Sequence, residues 1–409
     1  MQHHQPSLPA GEKILATEWA PRTLRLGLVA AAVGFAATAA LSWNAVDGGS
    51  LLLHIYLHTL MYFLSLGIGA LFFVILQHLT KAGWSVVVRR VAELMAGSLP
   101  LTALLFVPIL VAMAVQQNGA LFPWVDAEHV AHDALLRGKA AYLNVPFFCL
   151  RFAIYSLFWL VTTRFFVQRS IAQDTTGDVG HTVRMQQASA PGMLFFGLTT
   201  TFVAFDMLMS LNPHWFSTIF GIYFFAGSVM SFFAAIILLL RILQRSGHLL
   251  QSITVEHFHD LGKLLFGFVF FWGYIAFSQY MLIWYANMPE ETEWFQYRMN
   301  DGWGWVSLVL LLGHFLVPFF GLMSRHVKRH RLALQVGAVW LLIMHWLDLY
   351  WLIMPGTVGQ PPQLCTLQLT CFLAVGGLFV AGIAARARGV LLVPIRDPRL
   401  GESLAFENM

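Results

Sequence analysis

The chain has 409 residues, of which 58% are hydrophobic and only 11% are charged. Soluble domains carry about 25% charged residues, so this composition excludes an ordinary globular protein and points to a polytopic membrane protein. The formal net charge of +4 argues for no nucleic-acid partner, because the basic residues are distributed by membrane topology.

In chain order, residues 1–25 form a polar arm containing Glu12, Lys13 and Glu18. A cleavable secretory signal would place its apolar core close behind a short basic start, so the arm does not read as one. Ten apolar runs follow, near 26–43, 51–77, 95–115, 145–167, 190–211, 217–243, 261–287, 304–323, 332–354 and 364–385. Each is near the roughly 20 residues needed to cross a ~30 Å hydrocarbon core. Backbone polar groups in lipid must be satisfied within the segment, so the runs are read as helices. They are continuous rather than alternating, which excludes a β-barrel. The expected fold is all-α, with ten transmembrane helices.

Lys and Arg set the orientation. With the first residue inside, 20 of the 24 basic residues fall in inner segments or at adjoining helix ends. Arg137, Lys139 and Arg298 fall outside, and Arg151 is intramembrane. Both termini are therefore expected in the cytoplasm. Two outer loops stand out, one long (about 116–144) and one acidic (Pro289 to Trp294). Each reads either as solvated surface or as a docking face for extrinsic partners.

The distribution of polar residues suggests two four-helix bundles, helices 2–5 (residues 51–211) and 6–9 (residues 212–354). Helix 1 (26–50) and helix 10 with its tail (355–409) lie outside them. Gly27, Ala31 and Gly34 recur at helical spacing in helix 1, which permits close helix packing.

A small set of ionisable residues lies within the apolar runs. A charge in hydrocarbon is expensive, so such residues normally face a bundle interior and mark a proton, ion or substrate path. His54 and His58 share one helix face; they either relay protons or hydrogen-bond a quinone carbonyl, or else bond a neighbouring helix. Asp206 is flanked by apolar residues and has Arg151 or His58 as candidate partners; a structural Asp–Arg pair is the competing reading. His345 and Asp348 are three apart, so Asp348 can orient the imidazole, or the pair can tie helix 9 to a neighbour. His314 in helix 8 reads as a satisfied core histidine. On the inner side, Asp260 and Lys263 can pair at i,i+3, and Glu93 follows Arg89 and Arg90. These three form either the mouth of an inner half-channel or an ordinary charged collar. Tyr274, Ser278, Gln279 and Tyr280 offer groups that would extend a hydrogen-bonded chain.

Cys149, Cys365 and Cys371 lie in apolar segments without a C-x-x-C arrangement, so the sequence encodes no thiolate cluster or covalently attached haem. His58 with His345 as haem ligands is formally open but lacks a repeated histidine spacing, and a metal site meets the same objection. No phosphate-binding or dinucleotide fingerprint is present.

Two strings then narrow the reading, SLNPHWFSTIFG at 210–221 and FSQYMLIWYANMPEET at 277–292. Both resemble the membrane subunits of bacterial alternative complex III, a quinol:electron-acceptor oxidoreductase. That group is itself related to the membrane subunit of polysulfide reductase (the NrfD-like group). Length and the short arm resemble the F-type subunit more than the larger C-type paralogue. The resemblance implies two four-helix bundles flanked by two helices, in a bacterial inner membrane. It implies menaquinol as electron donor, with haem c and iron–sulfur clusters in partner subunits and none bound by this chain. The implied partners are the C-type membrane paralogue, the B-type iron–sulfur protein, a multihaem cytochrome, a terminal oxidase and lipid. It also implies proton half-channels, with His54, His58, Arg151, Asp206, His345 and Asp348 as outer candidates and Glu93, Asp260 and Lys263 as inner ones. The alternatives are an independent proton-coupled secondary transporter and a purely structural scaffold. For the transporter, Pro100, Pro108 and Pro318 do not form the matched set of broken helices that such sites use.

Overall fold

The computed structural model describes residues 8–43, 49–116, 118–300, 302–355, 362 and 364–408. Ten helices are long and apolar enough to cross a membrane. They are α1 (Trp19–Ser42), α2 (Ser50–Leu79), α3 (Val86–Gln116), α4 (Val145–Thr176), α5 (Gly180–Leu211), α6 (Phe220–Arg245), α7 (Val255–Ala286), α8 (Trp303–Met323), α9 (Arg331–Ile353) and α10 (Thr366–Ala387). Among the described residues there is no strand, only an isolated bridge between Leu15 and Leu391. The chain is a multi-pass membrane protein.

The helices outrun their apolar cores where polar, helix-favouring residues continue the winding. Helices α4 and α5 extend about two turns past the hydrophobic runs and join at Gly177, which takes the left-handed conformation. Proline interrupts two spans. The α3 ladder breaks after Ala96 and after Leu104, each time just ahead of a proline, Pro100 or Pro108. In α8 a π-helical stretch, Leu310–Leu316, precedes Pro318. A ring without an N–H forces such local rewinding.

Contacts close two rings of four helices. In the first, α2 packs on α3, α3 on α4, α4 on α5 and α5 on α2; in the second, α6, α7, α8 and α9 close in the same way. The rings meet where α2 lies against α6 and α9, and where α5 lies against α6. Nearly all of α2 is buried in consequence. The two outlying helices lie together outside the rings. They pair along their length, and α10 rests on α2 and α3.

Glycine makes that pairing possible. A Cβ on Gly27 would lie 2.7 Å from the Gly377 carbonyl, and one on Gly34 would lie 2.7 Å from Ala374 Cα. Without a hydrophobic force between helices in lipid, such close backbone approach is the main source of association. Gly34→Leu is therefore expected to undock α1 and to cost on the order of 1–3 kcal/mol through overpacking. Limited proteolysis between α1 and α2, compared with wild type, checks this; an unchanged cleavage rate would refute it.

One end of the molecule gathers the N-terminal arm, the 246–254 loop and the C-terminal tail. The Leu392 amide donates to the Ile14 carbonyl (2.8 Å), the Gln251 amide donates to Glu12 (2.9 Å), and His248 donates to the Leu15 carbonyl (3.1 Å). This end carries the basic excess and is called the inner end below.

Candidate functional site

The ionisable residues sort into four groups, and their electrostatics differ. At the outer end of the first bundle, Arg151 (α4) meets Asp206 (α5) through two hydrogen bonds, Nε to Oδ2 at 2.8 Å and Nη2 to Oδ1 at 3.0 Å. The Tyr155 hydroxyl donates to the same carboxylate (2.7 Å), and the Tyr142 ring lies under the guanidinium at 3.8 Å. Of the two expected partners of Asp206, the structure takes Arg151 and not His58. A bidentate fork of this kind fixes geometry and neutralises both charges, so the arrangement is that of a helix tie.

At the inner end of the first bundle, Glu93 is fully buried between Arg89 and Arg90. Arg90 also donates to Ser170 (3.0 Å), to Asp174 (2.8 Å) and to the Leu391 carbonyl (2.9 Å), and Arg89 pairs with Asp397. The network clamps the C-terminal tail onto α3 and α4. Asp260 and Lys263 pair as expected on the second bundle, and Lys263 adds Asn408 (2.7 Å). These contacts do not reach the Glu93 network, so the three inner candidates form two separate groups rather than one mouth.

The third group is central, where α2 meets α6 and α9 and where α8 packs on α9. His58 donates from Nε2 to the Trp346 carbonyl (2.9 Å), leaving its Nδ1 without a partner among the described residues. Ser65 donates to the Tyr62 carbonyl (2.7 Å), so its oxygen accepts from His345 Nε2 at 2.8 Å. That assignment leaves His345 Nδ1 as the basic nitrogen, also without a partner among the described residues. Asp348 accepts from the Tyr223 hydroxyl of α6. Of the two readings of this pair, the contacts are those of a tie from α9 to its neighbours and not of Asp348 orienting His345: the carboxyl is held by a phenol on α6, and the imidazole is held by α2. The two still approach one another across Gly227. A Cβ there would lie 3.3 Å from His345 Nδ1 and 3.7 Å from Asp348 Oδ2. Among the described residues no cationic side chain forms an ion pair with Asp348.

His314 overturns its reading as a satisfied core group. It lies in the π-helical stretch of α8, fully buried, with neither ring nitrogen bonded to the described residues. Its ring packs 4.0 Å from Trp272 and 6.4 Å from His345. The hydrogen-bonded chain expected along α7 does not form either. Tyr274 is 57% exposed and Tyr280 also faces outward, so of the four only Gln279 is buried.

The fourth group surrounds an outer cavity of about 770 Å³. His54, His214, Glu290, Glu293, Tyr297 and Arg298 contribute to its lining. His54 turns from the α2 pair toward this space and donates to its own helix at the Ser50 carbonyl (2.8 Å). Beside the cavity, Asp133 accepts from the Leu136 amide and from His214 (2.5 Å). The amide first, then the histidine, holds the Asp133 carboxyl below its ordinary range. Helix 289–299 carries Arg298, which sequence reading placed on the outer side of the membrane. Only 2% of it is exposed. It donates to the carbonyls of Trp351 (3.1 Å), Trp294 (3.0 Å) and Leu352 (2.9 Å), and its guanidinium stacks 3.5 Å from the Trp294 ring. Burial pushes its pKa well below the ordinary value, and Tyr223 acts in the opposite sense. A guanidinium nonetheless stays protonated in proteins. No sequence signal distinguished Arg298 from Arg137; only the docking of its short helix under Trp215 and Trp351 buries it.

Comparison with protein-family models and with curated proteins gives no match.

Proposed function

We propose that the chain is a membrane subunit of a respiratory quinol:electron-acceptor oxidoreductase of the alternative complex III type. It has no redox centre of its own and serves proton movement coupled to menaquinol oxidation. In this reading its partners are the C-type membrane paralogue, the iron–sulfur protein, the multihaem cytochrome and a terminal oxidase, in a bacterial inner membrane. Lipid surrounds it.

One observation carries the proton assignment. Asp348 is a buried carboxyl whose named partner is a neutral phenol, beside a His345 nitrogen that is free to accept a proton. A carboxyl without a counter-ion in a low dielectric alternates between neutral and charged states at modest cost only if a neighbour takes the proton. His345 is that neighbour. Asp206, by contrast, is locked to Arg151 and suits a structural role.

The two strings that resemble alternative complex III subunits support the broader assignment, since both run to the outer cavity. Leu211 to Trp215 from one and Glu290 from the other line it. The interruptions in α3 and α8 fall at different positions within their four-helix rings, unlike the matched breaks of secondary transporters.

The test is purification in mild detergent with an optical spectrum and subunit identification. Co-purification of a multihaem cytochrome and an iron–sulfur protein is expected. A colourless single-subunit preparation would sink the respiratory assignment.

A further inference from the structure

The outer cavity and Arg298 stand in a definite relation to Asp348. Arg298 donates to the carbonyls of Trp351 and Leu352, three and four residues beyond Asp348 on α9. The guanidinium is thus anchored about one turn, or ~5 Å, outward of the carboxyl's position along the helix. It is buried, its hydrogen-bond partners are carbonyls, and it faces the cavity. The Tyr223 hydroxyl donates to Asp348 from α6.

We propose that the outer cavity is the aqueous vestibule of the second bundle and that Arg298 is the charge-selective neck between it and the Asp348–Tyr223 pair. The inference rests on the proton role proposed for Asp348. A fixed cation at a narrow polar passage raises the barrier to protons and metal cations arriving from outside, as positive groups do in other selective pores. It also favours the ionised carboxylate beneath it, and so favours proton release from Asp348. The step balances: protonated Asp348 gives its proton to Tyr223 Oη as the phenol's own proton leaves toward the cavity. One proton moves, the phenol is regenerated and Asp348 is left ionised. Glu290 and Glu293 on the cavity wall supply acceptors on the far side of the neck.

A structural cap of the α9 carbonyls is the competing explanation, and it predicts different behaviour. The experiment uses the purified protein, with whatever subunits accompany it, in proteoliposomes carrying an internal pH dye. Passive proton influx is driven by a potassium diffusion potential. Arg298→Gln is expected to raise the leak roughly tenfold, the effect of one RT ln 10 of barrier. Arg298→Lys keeps the charge but cannot fork across three carbonyls, so it should melt earlier while leaking like wild type. An assembled Arg298→Gln protein with wild-type leak overturns the inference. Asp348→Asn in the same preparation separates the two claims. If it abolishes coupled proton movement while Arg298→Gln does not leak, only the neck is wrong. If it leaves coupling intact, the proton role itself fails.

Should Arg298→Gln not assemble, His54→Cys tests the vestibule directly. A membrane-impermeant maleimide added from the outer side is expected to label Cys at this position above the wild-type background. Absence of labelling overturns the vestibule.

Discussion

Replacing Arg151 with leucine is expected to destabilise the protein by about 3–5 kcal/mol, the usual result of leaving a buried charge without its partner. Asp206 would keep the Tyr155 hydroxyl but no cationic partner among the described residues, and Tyr142 would lose the cation stacked on its ring. The double variant Arg151→Leu with Asp206→Leu should recover most of that loss, because removing both charges removes the uncompensated one. Thermal unfolding in detergent, read as a double-mutant cycle, measures the coupling. If the single and double variants are equally unstable, the pair is not the tie between α4 and α5. Coupled proton movement should survive in the double variant, which separates the first bundle's outer charges from the second bundle's.

Asp348→Asn is the variant with the largest expected functional effect. The amide is nearly the size of the carboxyl and its oxygen still accepts from Tyr223, so assembly and melting temperature should stay close to wild type. Asn cannot take up a proton, so the position between Tyr223 and His345 loses its titrating group. Electron transfer to an external acceptor with most coupled proton movement lost is the expected result. An unchanged proton-to-electron ratio would remove Asp348 from the route. Reduced assembly with coupling intact would favour the scaffold reading of this chain.

Much of the architecture was legible because bilayer thickness imposes a length on every span, and apolar runs report that length directly. All ten spans were found, but their ends were not. The inner extensions of α4 and α5 contain Gln, Arg and Thr, which hydropathy reads as loop although they wind on in water. Ionisable residues inside the runs were visible for the same reason: at such positions the sequence departs from lipid-like composition. Their partners were less legible. Helical spacing pairs residues on one helix, so it joined Asp348 to His345; the observed partner, Tyr223, comes from α6 and depends on how the two four-helix rings meet. His314 looked ordinary because a lone histidine carries no spacing signal, while its setting depends on the π-helical stretch ahead of Pro318. Arg298 escaped because its position outside the spans made exposure the natural expectation. Its burial arises from tertiary docking of an 11-residue helix whose own pattern is acidic and aromatic.

The inner clamp has a consequence for how the molecule is made. Arg89 and Arg90 enter the membrane region early, with the third span, yet Asp397 and the Leu391 carbonyl that help satisfy them emerge from the ribosome only after all ten spans. Until then the first ring holds two guanidiniums against Glu93 and Asp174, one bonding partner short on each side. The tail therefore acts as a late closing latch, and the first ring's inner charges reach their final arrangement only when synthesis has passed Asp397.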